Sequence, residues 1–267
     1  MTTVTKTVSL SGVGPVELSL DDAGEGQAYV LLHGGGGPDT MSRFGQRLAE
    51  SHPVRVLLPT HPGFGDTTRP EKLDSIRGLA ALYIALLDDL DLRDVTVIGN
   101  SIGGWITAEM ALLESPRISG IVLIDAVGID VPEQPVADFF TMNYDEFLVR
   151  AFHNPDAFRM DPGSLPPAAQ AAMAANRSAL ATYTGGKMND PTLSHRLEDL
   201  ETPTLVLWGE SDRIASPDYG RAYANTIPMA RFEVLAEAGH LPQAEQPDVV
   251  IRAILSRARD HSSAVGR

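Results

Sequence analysis

The sequence predicts an α/β fold: a mostly parallel, eight-stranded sheet with helices on both faces and one helical insertion. Three observations carry that expectation. Short β-rich runs alternate with longer helical patterns, five of the runs are continuously apolar, and one long segment, 128–200, breaks the rhythm. Alternation of this kind builds a doubly wound sheet, and a continuous apolar run suits a strand covered on both faces.

The strands expected before the first helix are 7–10, 16–20 and 28–33, the last containing "YVLLH". A helix follows over 41–51, then a strand at 54–58, "VRVLL". The pattern over 73–90 places Leu79, Leu82, Tyr83, Leu86, Leu87 and Leu90 on one stripe of a helix. Next come a strand at 95–99, "VTVIG", a helix over 102–114 and a strand at 118–125, "GIVLID". Beyond the insertion lie a strand at 204–209, "TLVLWG", a helix over 218–226, a strand at 231–235 and a helix over 246–259. The tail "DHSSAVGR" is expected to fray.

Between them, 128–200 holds prolines, alanines and aromatics ("PEQPVADFF", "MNYDEFLVRAF", "LPPAAQAAMAANRSALATYT") but no buried-strand pattern. Residues 1–127 and 201–267 therefore form the expected core, and 128–200 a helical cap. A helical layer over the carboxyl ends of a parallel sheet would close the usual ligand crevice as a lid.

Composition narrows the function. With 267 residues and 43% apolar side chains the chain buries a full core without metals or disulfides. A net charge of −14 repels phosphate backbones and anionic membrane surfaces, so nucleic acid and membrane partners are excluded. There is no cysteine, hence no disulfide and no thiolate nucleophile or metal ligand. The first twenty residues lack a secretory h-region, and no apolar run reaches the ~18 residues of a membrane span. The expectation is a cytoplasmic protein with a small-molecule substrate and no cofactor or metal. The oligomeric state stays open, a homodimer included.

The chemistry starts at Gly99-Asn100-Ser101-Ile102-Gly103, a G-x-S-x-G between a buried strand and a helix. A sharp strand-to-helix turn lifts the serine hydroxyl clear of the sheet and crowds its flanks, so the positions two before and two after must be small. Gly99, Gly103 and Gly104 satisfy this. A serine needs a base. His52 and His261 sit in polar surroundings, His153 and His195 lie in the insertion, His33 suits shaping of the glycine loop it precedes, and His61 follows a strand but is chained to Pro62. His240, in "LAEAGHLPQAEQP", follows the last strand at the same sheet edge as Ser101 and is the candidate base. The acid that orients it is Asp212, in "LVLWGESDRIAS", with Asp125 as its competitor one strand earlier. Four glycines after His33, in "LLHGGGGPD", supply oxyanion donors: an N–H of Gly35 or Gly36 with that of Ile102 makes a two-donor hole. A phosphate cradle is excluded there, because no Lys-Ser/Thr pair follows and the spacing is not G-x-G-x-x-G.

With "HGGGG", "PGFGDT", "GNSIGG", "GESDR" and "AGHLPQAEQP" in this order, the chain resembles the α/β-hydrolase superfamily over nearly its whole length. The pairing of "HGGGGP" with "GNSIGG" is most similar to the meta-cleavage-product hydrolases, which split carbon–carbon bonds in vinylogous diketo acids. That resemblance implies that Asn100 and the Gly35 and Gly36 amides line the pocket, and that a lid arginine binds a substrate carboxylate. Arg177 is the candidate, with Arg150 and Arg159 as alternatives, and Trp105 joins the substrate-binding set.

Two departures pull towards a general esterase. Leu241-Pro242 stands where those hydrolases tend to carry tryptophan, and His61 replaces an aspartate usual after the fourth strand. A serine at the elbow argues against the haloalkane dehalogenases and epoxide hydrolases, which attack with a carboxylate. The expected activity is a serine hydrolase acting on a small carbonyl compound, foremost a carboxylic ester, with carbon–carbon bond hydrolysis as the alternative. A ligand-binding protein with a decayed triad, and a lyase of the hydroxynitrile type, are the competing classes.

Overall fold

The computed structural model describes residues 1–265, with side chains as far as residue 256. The side chain of His261 and the end of the tail expected to fray lie outside the described residues. Eight strands form one sheet: β1 (Thr2–Leu10), β2 (Gly14–Gly24), β3 (Gln27–Leu32), β4 (Val54–Pro59), β5 (Val95–Asn100), β6 (Ile118–Ile124), β7 (Thr204–Gly209) and β8 (Arg231–Leu235). Their spatial order is β1-β2-β4-β3-β5-β6-β7-β8. Strands β1 and β2 pair antiparallel with each other, and β2 antiparallel with β4, while β3 to β8 run parallel. The expected fold class is the observed one.

The helices are α1 (Asp39–Ser51), α2 (Ile76–Asp89), α3 (Ile102–Ala111), α4 (Tyr144–Ala151), α5 (Pro167–Thr184), α6 (Leu193–Leu197), α7 (Pro217–Thr226), α8 (Pro242–Glu245) and α9 (Pro247–Val265). Helix α2 starts three residues later than the expected span of 73–90. Ser75 is extended and its hydroxyl accepts the Gly78 N–H at 3.2 Å, which caps the helix there. Strands β1 and β2 are longer than their apolar cores because one face of this hairpin is wet and carries polar residues.

The continuous apolar runs have a simple cause. Successive residues of a strand point to opposite faces, and here both faces are covered. Tyr29, Leu31, Ile98, Val122 and Leu207 pack under α1 (Met41, Phe44, Leu48) and α9 (Val250, Ile251, Ile254). Their neighbours Val30, Leu32, Val97, Leu123 and Trp208 pack with α2, α3 and α7 on the other side.

Between β6 and β7 the chain forms α4, two short 3₁₀ turns (Pro155–Phe158 and Pro162–Ser164), α5 and α6. Its end is fastened to the core by an ion pair. Arg196 of α6 holds the buried carboxylate of Glu109 in α3 through two bonds of 2.6 and 2.7 Å, and also reaches Asp190 at 3.0 Å. Among the described residues, no helix is long and apolar enough to cross a membrane.

Candidate active site

Ser101 sits at the hinge between β5 and α3 with φ +56° and ψ −119°, a conformation that a residue with a Cβ adopts only when its surroundings force it. The surroundings are backbone. A Cβ on Gly99 would lie 2.1 Å from the Gly103 carbonyl oxygen, and one on Gly103 would lie 2.1 Å from the Leu32 carbonyl oxygen. One on Gly104 would lie 2.4 Å from the Ala126 Cβ. The glycines around the serine are therefore required by packing between α3, β3 and β6.

Three loops at the carboxyl ends of β5, β7 and β8 bring three side chains into a row. The Ser101 hydroxyl donates to His240 Nε2 at 2.9 Å, and His240 Nδ1–H donates to Asp212 Oδ2 at 2.8 Å. The other Asp212 oxygen accepts the backbone N–H groups of Ile214 (2.7 Å) and Ala215 (3.2 Å), so the carboxylate cannot rotate freely. All three residues are buried, with 3 to 7% of their surface exposed. Asn100 holds the His240 loop: its amide donates to the carbonyls of Ile124 (3.2 Å) and His240 (2.9 Å).

Asp125, the competing acid, is in the same cluster but differently placed. Asp125, Asp212 and His240 each present one polar atom within 4.8 Å of the others. Asp125 accepts the Gly209 N–H at 2.9 Å with one oxygen, and its second oxygen has no hydrogen-bond partner among the described residues. Burial, and then the neighbouring Asp212, push its carboxyl well above the usual carboxylate range. Both effects favour its protonated form, whereas Asp212 is the one bonded to His240.

The glycine loop faces Ser101: a Cβ on Gly34 would lie 3.2 Å from the Ser101 Cβ. Among the described residues the N–H groups of Gly35, Gly36 and Ile102 donate to no protein acceptor, which leaves them for a ligand. Behind the loop lies a fully buried pair of rings. His33 Nδ1–H donates to the Gly34 carbonyl (2.8 Å) and its Nε2 accepts the His61 backbone N–H (3.0 Å). His61 Nε2–H donates to the His33 carbonyl (2.9 Å), and its Nδ1 accepts the Tyr83 hydroxyl. Each ring thus has one donor and one acceptor nitrogen, the pattern of neutral imidazole. Burial holds His33 down to about 4; His61 is lowered by burial and then by His33.

Ser101 and His240 open onto a cavity of about 410 Å³. The segment between β6 and β7 supplies much of its wall, including Phe139, Phe147, Phe152, Met173 and Met188. A more open groove of about 670 Å³, lined by Asp145, Arg159 and Asp161, contains none of the three residues of the row. Of the substrate-binding expectations, Asn100 and Arg177 line the cavity. The Arg177 guanidinium donates to the Phe140 carbonyl and lies 5.6 Å from the centre of the Phe139 ring. Arg159 instead pairs with Asp145 at 2.6 Å, and Arg150 is not part of the cavity lining.

Trp105 corrects its expectation. Its indole is 5% exposed in the core, beneath Gly128, where a Cβ would come within 2.5 Å of the ring. It does not line the cavity, because α3 turns that face towards β6. Asn176 was missed. It is adjacent to Arg177 in α5, but nothing in the sequence marks an asparagine in an alanine-rich helix as a contact residue. The structure buries it against the glycine loop.

Comparison with known proteins places the fold in a family. Residues 29–253 match the model of the Alpha/beta hydrolase family. The chain is 26% identical to the 2-hydroxy-6-oxo-6-phenylhexa-2,4-dienoate hydrolase of Burkholderia cepacia, with 93% of each covered. It is 25% identical to Lipase 1 of Psychrobacter immobilis, covering 84% of this chain and 74% of that one. Among solved structures, a thermophilic esterase from Thermogutta terrifontis superposes with a TM-score of 0.77 at 28% identity, covering 96% of this chain and 98% of the other. The sheet, the hinge serine and the family match over 29–253 lead to one conclusion: the chain is an enzyme and belongs to the alpha/beta hydrolase family.

Proposed function

We propose that this protein is a serine hydrolase that cleaves an uncharged carboxylic ester. The observation that carries the reading is the row Ser101–His240–Asp212 opening onto a largely apolar cavity beside three backbone amides that have no protein acceptor among the described residues. His240 Nε2 takes the hydroxyl proton as Ser101 Oγ bonds to the ester carbonyl carbon, and Asp212 stabilises the imidazolium that results. The tetrahedral oxyanion accepts from Gly35 or Gly36 and from Ile102; losing one such donor costs about 3 kcal/mol of transition-state stabilisation. His240 then protonates the departing alkoxide, and water, deprotonated by the same ring, releases the acid from Ser101. The segment 128–200 acts as the cap that keeps this site dry, and the substrate is a small molecule taken up without cofactor.

Carbon–carbon bond hydrolysis of a dienoic diketo acid is the second reading, favoured by Arg177 in the cavity wall and by the kind of substrate named for the Burkholderia cepacia relative. The ester reading is preferred because a substrate carboxylate needs a free cation. Arg177 is the one arginine or lysine among the described lining residues, and its guanidinium is turned to the Phe140 carbonyl and the Phe139 ring. Labelling with a fluorophosphonate, mapped by mass spectrometry, tests the nucleophile: adduct on Ser101 supports it, and adduct elsewhere or none overturns it. Turnover of short p-nitrophenyl esters compared with a dienoic diketo acid separates the two readings.

A further inference from the structure

An oxyanion hole works only if its donors are held in place before the charge forms. The loop that carries two of the donors here is Gly34 to Gly37, four residues with the greatest backbone freedom of any. No side chain of its own can hold it. Its carbonyl groups are held by one bond within the loop and by donors outside it. The Gly34 carbonyl accepts from His33 (2.8 Å) and from the Gly37 N–H (3.1 Å), and the Gly37 carbonyl accepts from Thr40 Oγ1 (2.7 Å). The Gly36 carbonyl accepts from Asn176 Nδ2 at 3.0 Å.

Three of these bonds come from neighbours in the chain. Asn176 comes from 140 residues away, in α5 of the segment between β6 and β7. It is 7% exposed, and its Oδ1 accepts the N–H of Gly65, in the loop after β4, at 2.7 Å. One amide therefore bridges two backbone loops and spends both ends doing so. The fit leaves no slack, because a Cβ on Gly37 would lie 2.7 Å from Asn176 Nδ2. Nearby, the Tyr183 hydroxyl of the same helix donates to the Pro62 carbonyl at 2.8 Å, fixing the helix on the same loop.

We propose that Asn176 is a positioning residue for the oxyanion hole, setting the Gly35 and Gly36 amides by holding the Gly36 carbonyl and so making the hole depend on the seating of α5. This rests on the serine-hydrolase reading above. Asn176 touches no reacting atom in this role; it acts through the loop. Seating α5 and assembling the hole become one event, so a displaced cap leaves Ser101 and His240 paired but the oxyanion unsupported.

The test uses the full chain with p-nitrophenyl acetate and butyrate, and a trifluoromethyl ketone whose hemiketal oxygen occupies the hole. Asn176→Asp keeps the shape and the acceptor for Gly65 but loses the donor to Gly36; Asn176→Ala loses both. In each, kcat falls about 10- to 100-fold, the scale of a displaced catalytic group, while KM stays within about threefold. The ketone's inhibition constant rises by the same factor as kcat/KM falls, since both report the oxyanion. Ser178→Gly, an exposed change that only weakens α5, lowers Tm and leaves kcat at the wild-type value.

Wild-type kcat in Asn176→Asp, or a rise in KM alone, overturns the proposal. Should Asn176→Ala fail to fold, the aspartate variant decides. A wild-type protein that neither turns over esters nor labels at Ser101 overturns the hydrolase reading and this proposal together, an outcome distinct from an active enzyme indifferent to Asn176.

Discussion

The Ser101 hydroxyl lies 2.9 Å from His240 Nε2 although 139 residues separate the two in the chain. Residues that act as one unit lose function as one unit. Ser101→Ala, His240→Ala and the double variant are therefore expected to share nearly the same residual rate, at least about 10⁴-fold below wild type. Ester turnover by the purified variants checks this. Multiplying losses would mean that the two side chains act independently.

The two neighbouring aspartates are expected to separate cleanly. Asp212→Asn presents a donor or a weaker acceptor to His240 Nδ1 and costs about 10⁴-fold in kcat. Asp125→Asn replaces a carboxyl whose protonated form is favoured with a neutral amide and keeps an oxygen for the Gly209 N–H, so kcat stays within about threefold. The same change alters stability. Because burial and Asp212 raise the Asp125 carboxyl above its ordinary range, the folded state binds a proton that the unfolded chain releases, and stability falls as pH rises above the ordinary carboxylate pKa. Asp125→Asn removes that slope, so its Tm gain over wild type is larger at pH 8 than at pH 5. A variant that loses activity as steeply as Asp212→Asn would reassign the acid.

Acid is expected to loosen the glycine loop's support. His33 is held down to about 4 when folded and returns to about 6.5 when unfolded, and His61 is lowered in the same direction. Between those values the unfolded chain binds more protons, so their contribution is complete above pH 6.5 and is lost as pH falls towards 4. For His33 alone the loss amounts to about 3 kcal/mol. Nitrogen chemical shifts of the two rings in the folded protein, followed from pH 8 to 5, should show no protonation. Either ring titrating near 6.5 contradicts the burial argument.

Glycines of two kinds are predicted to respond differently to alanine. Gly103→Ala drives a Cβ onto the Leu32 carbonyl oxygen and should destabilise by more than about 3 kcal/mol or prevent folding. Gly185→Ala, at the end of α5 with φ +60° but no atom within 4 Å of its Cβ, should cost about 1 kcal/mol. Thermal unfolding of both variants checks the contrast, and equal losses would show that the clash at the hinge is relieved by movement.

Much of this molecule is written locally. Continuous apolar runs such as "TLVLWG" mean a strand covered on both faces wherever they occur, because side chains alternate with period two. The glycines around Ser101 mark a crowded hinge for the same kind of reason. A parallel sheet places every strand's carboxyl end on one edge, so Ser101, Asp212 and His240 are led to one edge by the topology.

The order of elements, the hinge and the edge at which three polar side chains meet are thus legible in the chain. Where the other side chains point was set by packing. Trp105 turned into the core, Arg177 engaged Phe140, and its unremarked neighbour Asn176 reached the glycine loop. Periodicity fixes which residues share a helix face, but the direction of that face depends on how one element packs on another, and that is settled by contacts far apart in the chain.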